Sequence, residues 1–504
     1  MLIFLLFLRI HVLKNNIFRI LQGNNIKRGN YHEKVSTANK IYNENAQNSH
    51  NSYEKPNLPT QHMNKIHFTS EISLKQLSKT SLDHSNHLTV KKCVFKRCLT
   101  QNGQGSSIYI NVPNQLKIRE TPEYAIDFSD SEFYEEMENK YAIYCNGNFP
   151  SVLFRNNSFQ CRPGAYFGGI YIRNIEKVKV ADCIFKNIEN HMSINYIHDN
   201  KNKNFSIIIE NCSFIESIYT CCNFDIKTGT IDSISILKCT FTNCQQGNGK
   251  SIIVGITENS NSILFTMKNN TIYNCGTSSR DSHILDIKLN RSPDNLDPII
   301  FEENIIKTDD AYKGCNGVTF EQENRDIIVS KCYFSHTFKG GGPFWASTFI
   351  ASKFSHVLIE ECYLDDCGFN DGGNVVAINK EVKKCTIKNT TFHFSQNHND
   401  HCGSAISTFT DNIELISNKF IRCNANTVRI VSNGGDNNQF ELIDNYFYGC
   451  SLGRLVTIED STVFVKPPII KGNIFDNNKP TYEHLFLFRL KSDIDKLIFD
   501  NNTF

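Results

Sequence analysis

Tryptophan is nearly missing from this sequence, one residue in 504, and methionine and proline are sparse at five and twelve. No run beyond the first residues approaches the roughly 20 apolar positions that a membrane-spanning helix needs. Membrane attachment would therefore fall to the N-terminus or to a partner. Net charge is also missing: 53 Lys and Arg face 52 Asp and Glu. That balance argues against a basic stripe for nucleic acid as the main purpose. Cysteine, by contrast, is plentiful. Nineteen thiols spread over this length do not make a small disulfide scaffold, and an odd count leaves at least one without an intramolecular partner.

The opening residues run apolar from Leu2 to Leu8 and then meet Arg9. Residues 1–21 read as a signal h-region or another hydrophobic N-terminus, although a basic n-region and a small-residue cleavage site are both absent. Residues 22–85 are polar and rich in Asn, His, Ser and Lys, a composition that predicts disorder. A cap for whatever follows is expected near the end of this segment, within 66–87.

From residue 86 to 504 the chain repeats. One template, apolar-x-apolar-x-x-(Asn/Cys)-x-Phe, fits fifteen segments, among them LTVKKCVF from Leu88, IIIENCSF from Ile207, ISILKCTF from Ile234 and LIFDNNTF from Leu497. From Ile126 onward, successive starts lie 26 to 34 residues apart. A period in this range signals stacked repeats. Ile234 and Ile236 alternate as on a half-buried strand, and so do Cys239 and Phe241, but the step between the pairs is three. On a straight strand that slip would turn the second pair outward, so the chain must bend there. A third alternation follows in most copies, as in SIIVGIT from Ser251 and TVRIVSN from Thr427. Three short strands per period of about 28 residues, with no helical period between them, predict a parallel β-helix of about 14–16 coils.

The position of Cys239 holds Cys93, Cys183, Cys212, Cys332 and Cys362 in sister copies, and Asn270, Asn304, Asn418, Asn445, Asn473 and Asn502 in others. Cys244 has equivalents at Cys98, Cys275, Cys367, Cys423, Cys450 and Asn478. A site that alternates between Cys and Asn calls for a small side chain that stacks and hydrogen-bonds. A structural ladder is the favoured reading. Disulfides between neighbouring coils, for example Cys183 to Cys212, also fit the geometry of one coil step. A zinc site at Cys239 and Cys244 is disfavoured because no His accompanies them and Asn replaces either one elsewhere.

Repeated C-x-F or N-x-F after I-x-I-x-x, with turns such as YFGGIYI (166–172), resembles right-handed parallel β-helix proteins of the pectin-lyase-like superfamily. Within that superfamily the likeness is to protist surface proteins and to polymorphic outer-membrane protein repeats. The resemblance implies an all-β, right-handed solenoid over residues 88–504. It leaves function open, because this fold carries enzymes and adhesins alike.

Catalytic fragments of the polygalacturonase type are scattered: Asp309–Asp310, Asp365–Asp366 and Arg489-Leu490-Lys491, with no G-H-G. They lie many coils apart, whereas glycosidase carboxyls sit within about 10 Å of each other, so solvated turn acids are expected. His393, His398, Asp400, His401 and Cys402 form an insertion with metal-ligand chemistry, read as a polar loop. Phe344, Trp345 and Phe349 offer ring faces for a sugar, with a packed loop as the blander reading. No catalytic, cofactor or metal residue is assigned. Sequons stand at Asn156, Asn204, Asn211, Asn269, Asn290, Asn389 and Asn501 and matter if the chain is secreted. The expectation is a non-enzymatic, surface or secreted rod that binds carbohydrate or a cell-surface protein. The alternatives are a polysaccharide lyase or glycoside hydrolase, and an intracellular repeat scaffold. The repeat stops in mid-coil at Phe504, so the last coil lies open, or another chain covers it, or the sequence is a fragment; an open coil would allow end-to-end association.

Overall fold

In the computed structural model, the described residues are 7–11, 69–73, 88–96, 105–112, 124–135, 141–147, 150–162, 167–189, 191–199, 204–226, 232–246, 253–257, 263–277, 284–288, 297–309, 317–321, 325–337, 347–369, 374–397, 403–410, 412–424, 426–431, 439–451, 453–459, 466–479, 484–489 and 496–504. Every helix or strand assigned among them is a strand, and nearly all pair in parallel. They form three long sheets. Sheet 1 stacks fifteen strands that open each template copy, and sheet 2 stacks fourteen strands that follow the corner. Sheet 3 stacks sixteen, the last strand of each coil, with Phe7–His11 and Thr69–Ser73 added antiparallel beyond Gly105–Val112. The chain is thus a parallel β-helix, with the coil number and period that the repeat predicts.

Register is set by identical side chains. Val178, Ile207 and Ile234 stand directly above one another in sheet 1, as do Val180, Ile209 and Ile236. Phe185, Phe214 and Phe241 do the same in sheet 2. Their rings stack at centroid separations of 5.0 and 4.6 Å, with planes within 6°, the distance between neighbouring strands. All three are fully buried, and each such ring contributes about 2–3 kcal/mol of apolar burial.

The predicted bend has a backbone cause. In all fifteen copies the residue before the Asn/Cys position has positive φ: Lys238 at 53°, Asn211 at 56°, Gly472 at 69°. The backbone bonds on either side of the corner are kept. The N–H of Asn211 donates forward to Leu237 O at 2.9 Å, and that of Ser213 donates back to Cys183 O at 2.9 Å. A second left-handed residue ends most sheet 2 strands, as at Asn187, Asn243, Phe394 and Arg422.

The Cys/Asn ladder is one repeated hydrogen bond. Asn445 Nδ2 donates to Leu415 O, one coil back, at 2.8 Å; Asn270 donates equivalently to Ile236 O at 2.9 Å. Cys239 Sγ reaches Ile209 O at 3.6 Å and Cys332 reaches Phe301 O at 3.5 Å. Asn also accepts: Asn445 Oδ1 receives the N–H of Asn418 at 2.9 Å, and Asn473 Oδ1 that of Asn445. The second ladder copies the first, with Cys244 on Phe214 O at 3.4 Å and Asn478 on Phe447 O at 3.0 Å. All sixteen described cysteines are free thiols. The Cys183–Cys212 bridge weighed above is therefore not formed; each thiol points to a carbonyl instead. Ser131, Asn157 and Thr390 fill the same position in three further coils; Asn157 fits the template, whereas Ser131 and Thr390 depart from its Asn/Cys choice.

Candidate functional site

The core side of the coils is mostly apolar and its ladder Asn side chains are engaged with backbone carbonyls, so the outward side chains are the place to look for chemistry. The richest outward strip runs along sheet 2 and its second corner from Tyr273 to Lys479. Five tyrosines lie on sheet 2 strands there: Tyr273, Tyr333, Tyr363, Tyr446 and Tyr448. They span seven consecutive strands, about 29 Å at the usual strand spacing, in two columns: Tyr333, Tyr363 and Tyr446 in one, Tyr273 and Tyr448 in the other.

The strip is a series of contacts between coils. Tyr273 Oη donates to Asp309 at 2.7 Å, and Asn274 Nδ2 donates to the same carboxylate at 2.9 Å. The bonds from Asn274 and Tyr273 hold the Asp309 carboxyl below its ordinary range, and Asp309 in turn raises the Tyr273 phenol. Ser335 Oγ lies 2.7 Å from His336 Nδ1, and His336 Nε2 lies 3.4 Å from Asp366. Asp365 Oδ1 lies 2.7 Å from His393 Nδ1. The rings of Tyr333 and Tyr363 stack at 5.7 Å, and Arg422 sits over Phe394 at 5.2 Å. A groove of about 410 Å³ opens between Phe394, Arg422, Tyr448 and Lys479.

Asp365 and Asp366 are not merely solvated turn acids. Each faces an imidazole on a neighbouring coil, His393 and His336 respectively. The sequence signal was present, because His336, Asp366 and Phe394 occupy one template position in consecutive coils. Composition gave no reason to pair them. Ser335 is 1% exposed, which keeps its hydroxyl from a polymeric substrate. Asp309 shifts downward, opposite to the raised carboxyl of a glycosidase general acid.

Elsewhere the expectations fare unevenly. Phe349 is a core residue of sheet 3, 1% exposed, and offers no ring face to a sugar. Trp345, Phe344, His398, Asp400, His401, Cys402, Asp310, Lys491, Cys98 and Asn290 lie outside the described residues. No group of three or more His, Cys, Asp or Glu positioned to hold a metal occurs among the described residues. No described helix is long and apolar enough to cross a membrane. A second aromatic row, Tyr109, Tyr144 and Tyr171, stacks outside sheet 3 at 5.0 and 4.4 Å. Tyr144 is only 5% exposed there, so this row is packing.

Five sequons share one place. Asn156, Asn211, Asn269, Asn389 and Asn501 are all the left-handed corner residue of their coils, with φ between 51° and 57°, and all are exposed. Asn204 is exposed just before a sheet 1 strand.

The sequence matches no known family model, and comparison with curated proteins finds no match. Among solved structures, tailspike protein 3 of bacteriophage CBA120 aligns at 8% identity and a TM-score of 0.33, over 92% of this chain and 70% of its own. A PL6-family alginate lyase, AlyGC, aligns at 10% identity and a TM-score of 0.15, over 85% of this chain and 98% of its own. These values transfer no chemistry to this chain.

Proposed function

We propose that this protein is a non-enzymatic β-helix rod, displayed at a surface or secreted, that binds carbohydrate along the outer face of sheet 2. The observation that carries this reading is the stacked Tyr333–Tyr363 pair beside the Asp–His contacts, with Tyr446 further along the same column and the Phe394–Arg422 corner next to it. Flat rings with a few directed polar groups suit sugars, whose faces are apolar and whose edges are hydroxyls. The sequence resemblance to protist surface proteins and polymorphic outer-membrane repeats supports the same reading. The test is a glycan array with the whole chain, against a Tyr333→Ala/Tyr363→Ala variant. Both side chains lie outside the core, so the variant should fold. Saccharides held by the parent and lost by the variant support the proposal, whereas equal signals from both sink it.

A second reading, a polysaccharide lyase or hydrolase, draws on the pairing of Asp365 with His393 and of Asp366 with His336, two acid–base couples on adjacent coils. Release of new reducing ends or unsaturated products from polysaccharide would favour it. A peptide mass map of the native protein addresses location. A processed start and glycans at the corner asparagines place the rod outside the cell; an intact Met1 with bare sequons favours an intracellular scaffold.

A further inference from the structure

We infer that the groove at the Phe394 corner is a subsite for an anionic saccharide, a hexose unit bearing a carboxylate or a sulfate. Its ring would lie against Phe394 and Tyr448, and its charge between Arg422 and Lys479. This rests on the carbohydrate reading above and gives it a charge preference.

The lining supplies the first argument. Phe394 and Tyr448 provide rings, Arg422 and Lys479 provide cations, Asn424 and Ser451 provide hydroxyl-matching groups, and no carboxylate lines the groove. The acids nearby are already engaged: Asp365 with His393 at 2.7 Å, and Asp476, which accepts from Tyr446 Oη at 3.2 Å. A guanidinium over a ring presents its N–H fork sideways, the geometry that receives a carboxylate or sulfate.

The second argument is backbone geometry. Twenty-five described residues other than glycine have positive φ, and Phe394, at 53°, is the one apolar side chain among them. Five sister coils fill its place with Asn187, Asn243, Asn274, Gly449 and Asn477, which tolerate the left-handed region, and four others with the polar side chains of Glu216, His336, Asp366 and Arg422. Phe394 gains no core burial in exchange, being partly exposed at the surface. An uncommon conformation kept by a partly exposed ring is strain stored at a working surface.

The test uses the full chain and three oligosaccharides of equal length, one neutral, one of uronates and one sulfated, titrated by calorimetry. A charged probe should bind at least about ten-fold more tightly than the neutral one, roughly the effect of one charge-assisted pair. Arg422→Gln should bring the charged and neutral affinities within about two-fold of each other. Phe394→Asn should weaken the charged probes while holding or raising the unfolding midpoint, because Asn accepts the corner. The ratio between the two charged probes identifies carboxylate or sulfate as the preferred group. Equal affinity for neutral and charged probes, or a preference unmoved by Arg422→Gln, overturns the subsite and leaves the carbohydrate face standing. Failure of all three probes to bind removes the subsite, and a blank glycan array would then remove the face as well.

Discussion

At the residue scale, the alternation of Cys and Asn is the detail that physical chemistry explains most fully. Either side chain can donate to the carbonyl one coil back, but only Asn also accepts the N–H of its neighbour well. Asn445 does both, to Leu415 O and from Asn418 N. Asn445→Ala strands both groups in a dry interior and should cost about 2–4 kcal/mol, the desolvation of two unpaired polar groups. Asn445→Cys keeps the donor and should cost less than half as much; urea unfolding of the two variants decides, and equal losses would refute the ladder. Gly169 is a second residue with a specific reason. A Cβ there would lie 2.3 Å from Ser193 O and 2.8 Å from Phe185, so Gly169→Ala should lower the unfolding midpoint clearly. The ladder positions could be read from sequence because Cys and Asn alternate at fixed spacing. Ser131 and Thr390 could not, since nothing in composition says that a hydroxyl will take the same bond.

At the element scale, each sheet owes its stability to stacking of equivalents, and the buried thiols belong to that stack. Burial pushes the thiols of Cys145, Cys222 and Cys385 well above their ordinary value of 9.0. A thiol whose folded pKa is raised favours the folded state below its unfolded pKa, and that contribution is lost as pH climbs above it. Stability should therefore be level with respect to these groups up to about pH 8 and fall above about pH 9. Urea midpoints across that range test it; a midpoint that rises with alkalinity contradicts it. Native protein should also resist thiol reagents at these positions until denaturant is added. The strand–corner–strand unit was legible because a step of three between alternating pairs has no straight-strand solution. The cause of the corner, a left-handed residue in every copy, was not legible. Lys, Glu, Ser and Asp occupy it as well as Asn and Gly, so the position carries no single residue signature. The same corner explains why sequons recur: Asn at the left-handed site, then a ladder residue, then Ser or Thr before the inward Phe or Ile.

At the scale of the whole molecule, the near-zero net charge is a surface laced with ion pairs between coils, such as Lys388–Glu360 at 2.8 Å and Lys179–Glu210 at 3.0 Å. Exposed pairs of this kind are worth about 0–1 kcal/mol each, so raising ionic strength should barely move the unfolding midpoint. Binding at the Arg422 groove, in contrast, should weaken visibly with salt. The sequence made the solenoid readable from end to end because fifteen copies reinforce one pattern, whereas a binding face is made once and repeats nothing. The Asp–His contacts join residues 28 to 30 positions apart, which only the coil period brings together. The central claim is that the outer face of sheet 2 holds carbohydrate. Hydrogen–deuterium exchange on the whole chain, with and without a saccharide selected from the array, tests it most directly. The account predicts added protection in peptides covering 330–337, 361–367, 391–397 and 446–451, with sheets 1 and 3 unchanged. Protection confined to sheet 1 or sheet 3, or none anywhere at saturating saccharide, would contradict it.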